Sequence, residues 1–349
     1  MKSEAIVEFG KPLQTIESEN PVPKEKEVLL KITNSGVCHS DVHLHDGYFD
    51  LGGGNQLPVG AALSLPHVLG HEIEGEVVSI GPDVKDLEIG SDVVVYPWIG
   101  CGDCPTCLSG DEHYCNAPQQ LGIQLPGGFS DYCLIPDSKY ALDYTGIRPG
   151  LAATYMCSGL TAFGALKKLV NISDDDHILV MGLGGVGMMG LQFARSLFSC
   201  KILAADIDPN KLQAARGAGA HEVYNTSDEL SLMKLLDDTK GGVKAVVDFV
   251  GAEKTLKYSL DSTKKGGQII VVGLFGGAFQ MPIPMFPLSA KSIGGSFVGS
   301  LDETREMLNL VKTGKVDPIP VSSRGMKEAT KTLDDLRDGA ITGRVVLQP

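Results

Sequence analysis

The hydrophobic and polar positions of the chain follow two patterns, and the change between them falls near residue 150. Residues 1–150 contain short runs rich in β-branched residues and bounded by Gly, Pro or Asp, which is typical of strands. The predicted strands are 27–32, 74–81, 92–98 and 127–136. The first part of the chain is therefore expected to be mostly β-structure and loops.

From residue 151 onward, continuous apolar runs alternate with helical segments. Such runs predict parallel strands covered on both faces, and they lie at 177–182, 201–208, 244–250 and 267–273. Helices are predicted between and after them at 185–198, 209–218, 228–239, 252–263, 301–313 and 326–338, with a final strand at 343–349. This alternation predicts an α/β fold with a doubly wound parallel sheet.

A glycine-rich turn follows the first of these apolar strands. Gly182, Gly184 and Gly187 form G-x-G-x-x-G between a predicted strand and a predicted helix, the context that a dinucleotide-binding turn requires. Asp206 lies nineteen residues beyond Gly187, close to the spacing of the carboxylate that holds the adenosine ribose. A carboxylate there would repel a 2′-phosphate, so NAD is favoured over NADP. A methyltransferase-like glycine turn for another adenosine ligand is the alternative.

Four cysteines lie within fifteen positions of one loop, with the spacing C-x2-C-x2-C-x7-C. Four thiolates so spaced suit a tetrahedral zinc ion, and a full set of ligands leaves no position for substrate. The pattern therefore predicts a structural zinc site. Surface thiols without metal are one alternative, and a zinc ribbon that contacts nucleic acid is another. The four residues are Cys101, Cys104, Cys107 and Cys115.

Composition narrows the class of protein. With 349 residues the chain is expected to form two domains, at about 150 residues per domain. The net charge of −13 argues against nucleic acid as the main partner. No basic, apolar leader opens the chain, and no uncharged run reaches the length of a membrane span. We therefore expect a soluble cytoplasmic protein, in a reducing compartment where clustered cysteines hold metal rather than form disulfides.

Further metal-ligand residues are scattered along the chain. Cys38 lies in GVCHSDVH, His71 and Glu72 lie in LGHEIEG, and Cys157 lies in YMCSGLTAF. The distances along the sequence permit no spacing argument, and each residue alone is compatible with an ordinary buried position.

The chain resembles the zinc-dependent alcohol dehydrogenases of the medium-chain dehydrogenase/reductase family. The resemblance is carried by the order of these segments together with LPHVLGHEIEGEVVSIGPDV, the four-cysteine loop and the glycine turn. The resemblance covers nearly the whole chain and is closest to the microbial tetrameric, NAD-dependent members. It implies a GroES-like, mostly β catalytic domain at 1–150, completed by 295–349, and a Rossmann NAD-binding domain at 151–294. It also implies a homo-oligomer, a dimer or tetramer, associating through sheet edges near 291–299.

The resemblance also implies a role for individual residues. Cys38, His71 and Cys157 would hold a catalytic zinc, with Glu72 as an alternate fourth ligand. Ser40 and His43 would relay the proton of the alcohol. The cofactor would contact His39, Thr161, Gly182, Gly184, Gly185, Val186, Gly187, Asp206, Lys211, Val272 and Arg344. Phe49 and Trp98 are candidates for the wall of an apolar substrate pocket, although a core role for each is the alternative.

The activity implied is hydride transfer between NAD and a primary or secondary alcohol, which can be aliphatic, cyclic or aromatic, giving an aldehyde or ketone. Two alternatives remain. One is a related zinc enzyme for a polyol or a hydroxyacyl thioester; polyol enzymes often carry a carboxylate in place of the third thiolate, and Cys157 speaks against them. The other is a non-catalytic NAD-binding protein, which would be expected to lack some of the zinc ligands.

Overall fold

The computed structural model describes residues 1–60 and 63–349. Its strands are β1 Lys2–Ile6, β2 Gln14–Glu17, β3 Val28–Gly36, β4 Tyr48–Gly52, β5 Asn55–Pro58, β6 His67–Val68, β7 Glu72–Ile80, β8 Asp92–Val95, β9 Tyr132–Ile135, β10 Ala141–Asp143, β11 His177–Met181, β12 Lys201–Asp206, β13 Glu222–Asn225, β14 Val243–Asp248, β15 Thr263–Val271, β16 Ser292–Gly295, β17 Val321–Gly325 and β18 Arg344–Gln348. Its α-helices are α1 His39–Asp46, α2 Pro105–Leu108, α3 Leu151–Thr154, α4 Leu160–Lys167, α5 Gly185–Leu197, α6 Pro209–Gly217, α7 Ser231–Asp238, α8 Glu253–Ser262, α9 Met285–Ser289, α10 Leu301–Lys312 and α11 Ala329–Arg337.

One large sheet is built from the first part of the chain and its C-terminal strands. Its order is β10-β8-β7-β3-β18-β17, and β9 also pairs with β3. The inner strand β3 is buried along most of its nine residues, and only Lys31 and Thr33 are exposed. β18 pairs antiparallel with β3, so the last residues of the chain join a sheet that was begun near its start. A three-stranded sheet, β2-β1-β6, packs beside it.

The second large sheet is parallel throughout and has the order β13-β12-β11-β14-β15-β16. Its central strands are buried along nearly their whole length, as expected for a sheet with helices on both faces. The order reverses at β11 and β14, and ligands of such folds bind beyond the carboxyl ends of the strands at this switch point. The predicted α/β fold class is confirmed.

Most of the predicted elements are present, with shifted ends. Predicted strand 127–136 is shorter, since only Tyr132–Ile135 forms a regular strand. Predicted helix 326–338 begins with a 3₁₀ turn, Met326–Glu328, before α11. Two strands of the parallel sheet, β13 and β16, were not predicted from the apolar pattern, although the resemblance implied a sheet edge near 291–299. Both have only four residues, and β16 is the glycine-containing edge strand, so neither gives a strong apolar run.

The glycine-rich stretch at 51–66 contains most of a short hairpin, β4–β5. Residues 61 and 62 of that stretch lie outside the described residues. A Cβ on Gly52 would lie 2.6 Å from backbone atoms of Gly277, so the hairpin contacts a loop beyond the parallel sheet. Among the described helices, none has the length and apolarity needed to cross a membrane.

Candidate active site

Adjacent strands of the seven-stranded sheet bring the predicted catalytic ligands together. Gly36 at the end of β3 lies opposite Glu72 at the start of β7. Cys38 therefore follows one strand where His71 precedes its neighbour. Cys157 arrives from a π-helical turn, Tyr155–Gly159, between α3 and α4. Such turns widen the helix locally and occur often at functional sites.

The ligand atoms of Cys38, His71 and Cys157 all lie within 4.8 Å of one another. The two sulfurs are 3.9 Å apart, and all three side chains are buried. The Nε2 atom of His71 is buried and has no hydrogen-bond partner among the described residues. An uncompensated buried imidazole nitrogen is costly, and beside two sulfurs it is the donor set that zinc prefers. The residues present therefore fit a zinc ion with three protein ligands.

The charge state of the site suits a metal. The hydrogen bond from the Cys157 thiol, aided by the His71 ring, lowers the pKa of Cys38 well below its ordinary value although burial opposes this. The same thiol–thiol bond, together with burial, raises the pKa of Cys157. One sulfur of the pair therefore readily carries negative charge, and the thiolate is the form that binds metal.

Asp41 orients the imidazole ligand and was not singled out from the sequence. Its Oδ1 lies 3.1 Å from Nδ1 of His71, which leaves Nε2 to face the sulfurs. Burial opposes charge on His71, but the neighbouring Asp41 carboxylate raises the pKa of that ring well above its usual value. Asp41 also accepts from the backbone N–H of Cys38 at 2.8 Å, so one carboxylate fixes two of the three ligands. The signal was present in the sequence, because an acidic residue three positions after a helix N-cap is a capping pattern.

Glu72 is fully buried beside the three ligands, and both of its oxygens already have partners. Oε1 accepts from Ser158 Oγ at 2.7 Å and from its backbone N–H at 3.0 Å, while Oε2 pairs with the guanidinium of Arg344. Burial raises the pKa of Glu72, partly offset by Arg344. Arg344 is itself buried, and its side chain lies 2.5 Å from where a Cβ on Gly185 would be. This arginine therefore bridges the metal ligands and the glycine turn.

Ser40 and His43 lie on α1, directly after Cys38. The Ser40 hydroxyl is 3.9 Å from the Cys38 sulfur, so it borders the cluster. His43 is half-buried, and its ring lies 4.7 Å from that of Phe49. Burial, with a contribution from His39, lowers the pKa of His43. A neutral imidazole therefore predominates at neutral pH, and this is the form that accepts a proton.

An aromatic pair flanks the metal ligands. The Trp98 ring is 5.4 Å from the His71 ring, and its indole N–H donates to the carbonyl of Met156, next to Cys157, at 2.9 Å. Phe297 packs edge-on against Trp98 with centroids 5.5 Å apart. Trp98 is buried, whereas 44% of Phe297 is exposed. Phe297 was missed from the sequence because it lies in a polar, glycine-rich segment almost two hundred residues away.

The glycine turn has the geometry that the fingerprint requires. Gly182 has φ +84°, which favours glycine. A Cβ on Gly187 would lie 1.7 Å from the Gly182 carbonyl oxygen, so only glycine permits this packing of α5 on β11. Gly184 is exposed with open space beyond its Cα, which leaves room for a pyrophosphate. Asp206 ends β12, and its carboxylate accepts from the backbone N–H of Leu183 at 2.6 Å.

The remaining predicted cofactor residues lie on several different elements. Val272 directly follows β15, and its N–H donates to the carbonyl of Asp248 at 2.8 Å. Lys211 is half-buried on α6, and Thr161 is half-buried on α4. The other residues are Gly185 and Val186, half-buried at the start of α5, and His39, exposed at the start of α1.

The four cysteines of the loop form a second cluster whose ligand atoms lie within 4.8 Å of one another. Neighbouring sulfurs are 3.5 to 3.9 Å apart. Backbone N–H groups of Cys101 and Ala117 donate to the Cys115 sulfur and lower its pKa to about 7. A Cβ on Gly100 would lie 2.4 Å from the Cys107 sulfur, so the chain wraps closely around the cluster. Four thiolates and no open position fit a structural zinc.

Glu112 links this loop by hydrogen bonds to Lys139 and Tyr140, which directly precede β10. This role was not identified from the sequence. The Glu112 carboxylate accepts from the Lys139 ammonium at 2.8 Å and from the Tyr140 hydroxyl. Burial opposes ionisation, but these donors lower the pKa of Glu112 below its ordinary value. The loop is thus held both by its thiolates and by a buried carboxylate.

Comparison with known proteins agrees with this geometry. Residues 24–144 match the family model described as the alcohol dehydrogenase GroES-like domain, and residues 185–313 match that of the zinc-binding dehydrogenases. The NAD-dependent alcohol dehydrogenase of Saccharolobus solfataricus is 35% identical over the full length of both chains. The crystal structure of the Aeropyrum pernix alcohol dehydrogenase superimposes with a TM-score of 0.88 at 28% identity, covering 100% of both chains. The acetophenone reductase of Geotrichum candidum, solved with NAD, gives 0.85 at 29% identity, covering 100% of this chain and 97% of the other.

Proposed function

The chain belongs to the zinc-dependent alcohol dehydrogenase family, and from that premise we propose how its own residues carry out the reaction. It is an oxidoreductase that uses zinc and NAD to interconvert an alcohol and the corresponding aldehyde or ketone. The observation that carries the proposal is the convergence of Cys38, His71 and Cys157, with His71 Nε2 left without a partner among the described residues.

These three residues would hold the catalytic zinc and leave a fourth position for the substrate oxygen. Bound there, the metal supplies a Lewis acid that makes the hydroxyl proton easier to lose, and NAD supplies the hydride acceptor. We propose that the protein limits water at the site, because Trp98 lies against the His71 ring and the residues of the π-helical turn are buried. Exclusion of water strengthens every charge interaction inside the site.

Glu72 and Arg344 form a buried pair that neutralises its own charge beside the ligands. For Glu72 to serve as an alternate ligand, its carboxylate would have to exchange Ser158 or Arg344 for the metal. For Arg344 to reach a pyrophosphate at the glycine turn, it would have to share its donors with Glu72. We propose that these two movements are linked. When Glu72 leaves Arg344 for the metal, the guanidinium is free to reach the pyrophosphate, and when Arg344 moves to the pyrophosphate, the carboxylate is free to reach the metal.

The proton released from the alcohol is proposed to pass through Ser40 to His43. Ser40 borders the ligand cluster, and His43 lies three residues further along the helix with a lowered pKa. A hydroxyl can accept and donate at once, and a neutral imidazole can accept from it. The path would then lead from a dry pocket toward the more open edge formed by Phe49.

NAD is proposed to lie across the carboxyl ends of the parallel strands. The pyrophosphate would meet the N-terminus of α5 at Gly184 and Val186, where free N–H groups favour an anion. The adenosine ribose would bond Asp206, with Lys211 nearby, and the nicotinamide would lie between Thr161 and Val272. This orientation brings the hydride-accepting ring toward the zinc ligands.

The domain division and the assembly are also proposals. We propose a catalytic domain at 1–150 and 295–349 and a cofactor domain at 151–294, which matches the two large sheets. We propose that a second copy of the chain pairs with the open edge of β16. Support comes from the exposed apolar residues that precede this strand, which are Leu274, Phe275, Ile283, Met285, Phe286 and Leu288. The thiolate sites favour a reducing compartment, and we propose the cytoplasm.

The activity is tested with purified protein and a panel of primary, secondary, cyclic and aromatic alcohols, each with NAD and NADP, read by absorbance of the reduced nicotinamide. Metal analysis should find two zinc ions per chain, one for each cluster. The Ser40→Ala variant should lose turnover far more than NAD binding. Equal losses of both would argue against a relay, and one zinc or none per chain would contradict the two-site assignment.

A further inference from the structure

A five-residue connector, residues 296–300, joins β16 to α10. Val298 in this connector has φ +39°, a region that β-branched side chains rarely adopt. Only 5% of Val298 is exposed, so the connector is packed rather than loose. A strained backbone persists only where the surrounding structure over-determines it, and such positions cluster at functional sites.

Contacts from both large sheets hold the connector in place. From the parallel sheet, the carbonyl of Val271 accepts from the N–H of Ser296 at 3.0 Å. A Cβ on Gly164 of α4 would lie 2.5 Å from the carbonyl oxygen of Val298, so the backbone is pressed against this helix. From the other sheet, the hydroxyl of Tyr96 donates to the carbonyl of Gly299 at 2.9 Å.

The bond from Tyr96 reaches the connector from the catalytic part of the chain. Tyr96 directly follows β8 and is fully buried, so its hydroxyl has a fixed direction. Two residues further along the same segment lies Trp98, which packs on His71. A buried hydrogen bond therefore joins the connector to the segment that supports the metal ligands.

The position of the connector determines where the Phe297 ring lies, and this ring shapes one wall of the site. The ring meets Trp98 edge-on, with an interplanar angle of 76°, and its other side stays open. A displaced connector would separate the two rings, because the hydrogen bond from the Trp98 indole to the Met156 carbonyl keeps Trp98 in place. A flat apolar group placed beside this pair would gain from edge-to-face contact, whereas a short aliphatic chain would gain little.

We propose that Tyr96 is a positioning residue: through its bond to Gly299 it holds the strained connector so that Phe297 and Trp98 form a wall that favours ring-bearing alcohols. This inference rests on the proposed alcohol dehydrogenase function. It assigns a preference within that function to a residue that does not itself touch the substrate.

The test is Tyr96→Phe, which removes the hydroxyl and keeps the ring. The ratio of kcat/KM for benzyl alcohol to that for 1-propanol should fall by about two- to tenfold, the value of an aromatic contact expressed as a rate ratio. The change should be mainly in KM for benzyl alcohol. The Kd for NAD, measured without substrate, should change less than this ratio, since the proposed pyrophosphate and adenosine contacts at the glycine turn and Asp206 lie away from the connector.

Tyr140→Phe is the matched control. The Tyr140 ring stacks on Tyr96 with centroids 6.1 Å apart, but its hydroxyl donates to Glu112 instead of the connector. This variant should leave the ratio of the two alcohols unchanged. A similar fall in both variants, or an equal loss for both alcohols in Tyr96→Phe, would overturn the inference.

A double-mutant cycle decides whether the effect travels through Phe297. Phe297→Ala alone should lower the same ratio, and adding Tyr96→Phe should then change it no further. Additive effects would overturn the inference. If the thermal transition of Tyr96→Phe shows that this variant does not fold, the Phe297→Ala variant still tests the inference. An unchanged ratio of the two alcohols in Phe297→Ala would show that Phe297 forms no wall that favours ring-bearing alcohols. A wild-type protein that oxidises neither alcohol would instead contradict the proposed function.

Discussion

At the scale of single residues, the site depends on groups that hold the ligands as well as on the ligands. Cys38, His71 and Cys157 could be identified from the sequence by resemblance, but the contacts that Asp41 and Ser158 make with them and with Glu72 could not. Their partners lie up to 86 residues away, and only the pairing of β3 with β7 and the π-helical turn bring them into contact. A local sequence pattern predicts the type of a side chain, whereas its contacts follow from the tertiary fold.

The metal affinity should depend on Asp41. In Asp41→Asn the imidazole keeps a neighbour of the same size but loses the charge that favours its metal-binding tautomer. Zinc affinity at the catalytic site should fall by about 10- to 100-fold, which is typical for removal of such an outer partner. The measurement is zinc release to a competing chelator. The four-cysteine cluster serves as an internal control in the same molecule, and loss of both ions at equal rates would contradict the assignment.

Cofactor choice should depend on Asp206. Asp206→Gly removes the charge that would oppose a 2′-phosphate, so the ratio of kcat/KM with NADP to that with NAD should rise by about tenfold or more, since a like charge nearby costs on the order of 1–4 kcal/mol. Asp208→Asn is the matched control, because it removes a charge two residues away while keeping a side chain that can cap α6. An unchanged ratio in Asp206→Gly, or equal changes in both variants, would reject the role.

At the scale of elements, strands with a long apolar run could be predicted from the sequence, whereas strands of four residues were missed. The apolar strands β11, β12, β14 and β15 were predicted because both of their faces are buried. The four-residue strands β13 and β16 lie toward the edges of the same sheet, where half-exposed positions weaken the apolar run. The cysteine loop is the opposite case, since its ligand spacing was informative although its helices have only three or four residues.

The cysteine loop should stabilise the protein before it affects chemistry. Cys104→Ser should reduce the zinc content to one ion per chain and lower Tm by about 10 °C or more. A structural zinc contributes several kcal/mol to the free energy of unfolding, and each kcal/mol shifts Tm by about 2–4 °C. Cys133→Ser is the control, since Cys133 is buried away from both clusters and its loss should leave two zinc ions. Retained thermal stability with lost activity in Cys104→Ser would contradict a structural site.

At the scale of the whole molecule, two sheets of different kind meet at one site. The mostly antiparallel sheet positions Cys38 and His71, and the parallel sheet carries the glycine turn. Arg344 connects them, because it opens β18 beside Glu72 and also lies against Gly185. The fold class followed from periodicity, but this meeting of distant segments did not, since it requires the C-terminal strand to return beside β3.

The exposed apolar residues at 274–288 have the strongest consequence for assembly. The chain carries a net charge of −13, which opposes association at long range, so a contact between copies must be apolar and close. The edge strand β16 begins four residues after this segment, and its outer side has no partner strand among the described residues. Together they favour a second copy of the same chain over a charged partner.

Replacement of apolar by charged side chains in this segment should therefore reduce the oligomer. Ile283 and Leu288 are 81% and 66% exposed, so Ile283→Lys with Leu288→Lys should not disturb the core of one chain. The mass measured by sedimentation should fall to that of one chain or of a smaller assembly, with the far-UV spectrum unchanged. Ile89→Lys is the matched control, because Ile89 is 63% exposed and lies in the antiparallel part, far along the chain from β16. A wild-type protein that sediments as a single chain, or a double variant that keeps the wild-type mass, would show that β16 and residues 274–288 do not form the interface.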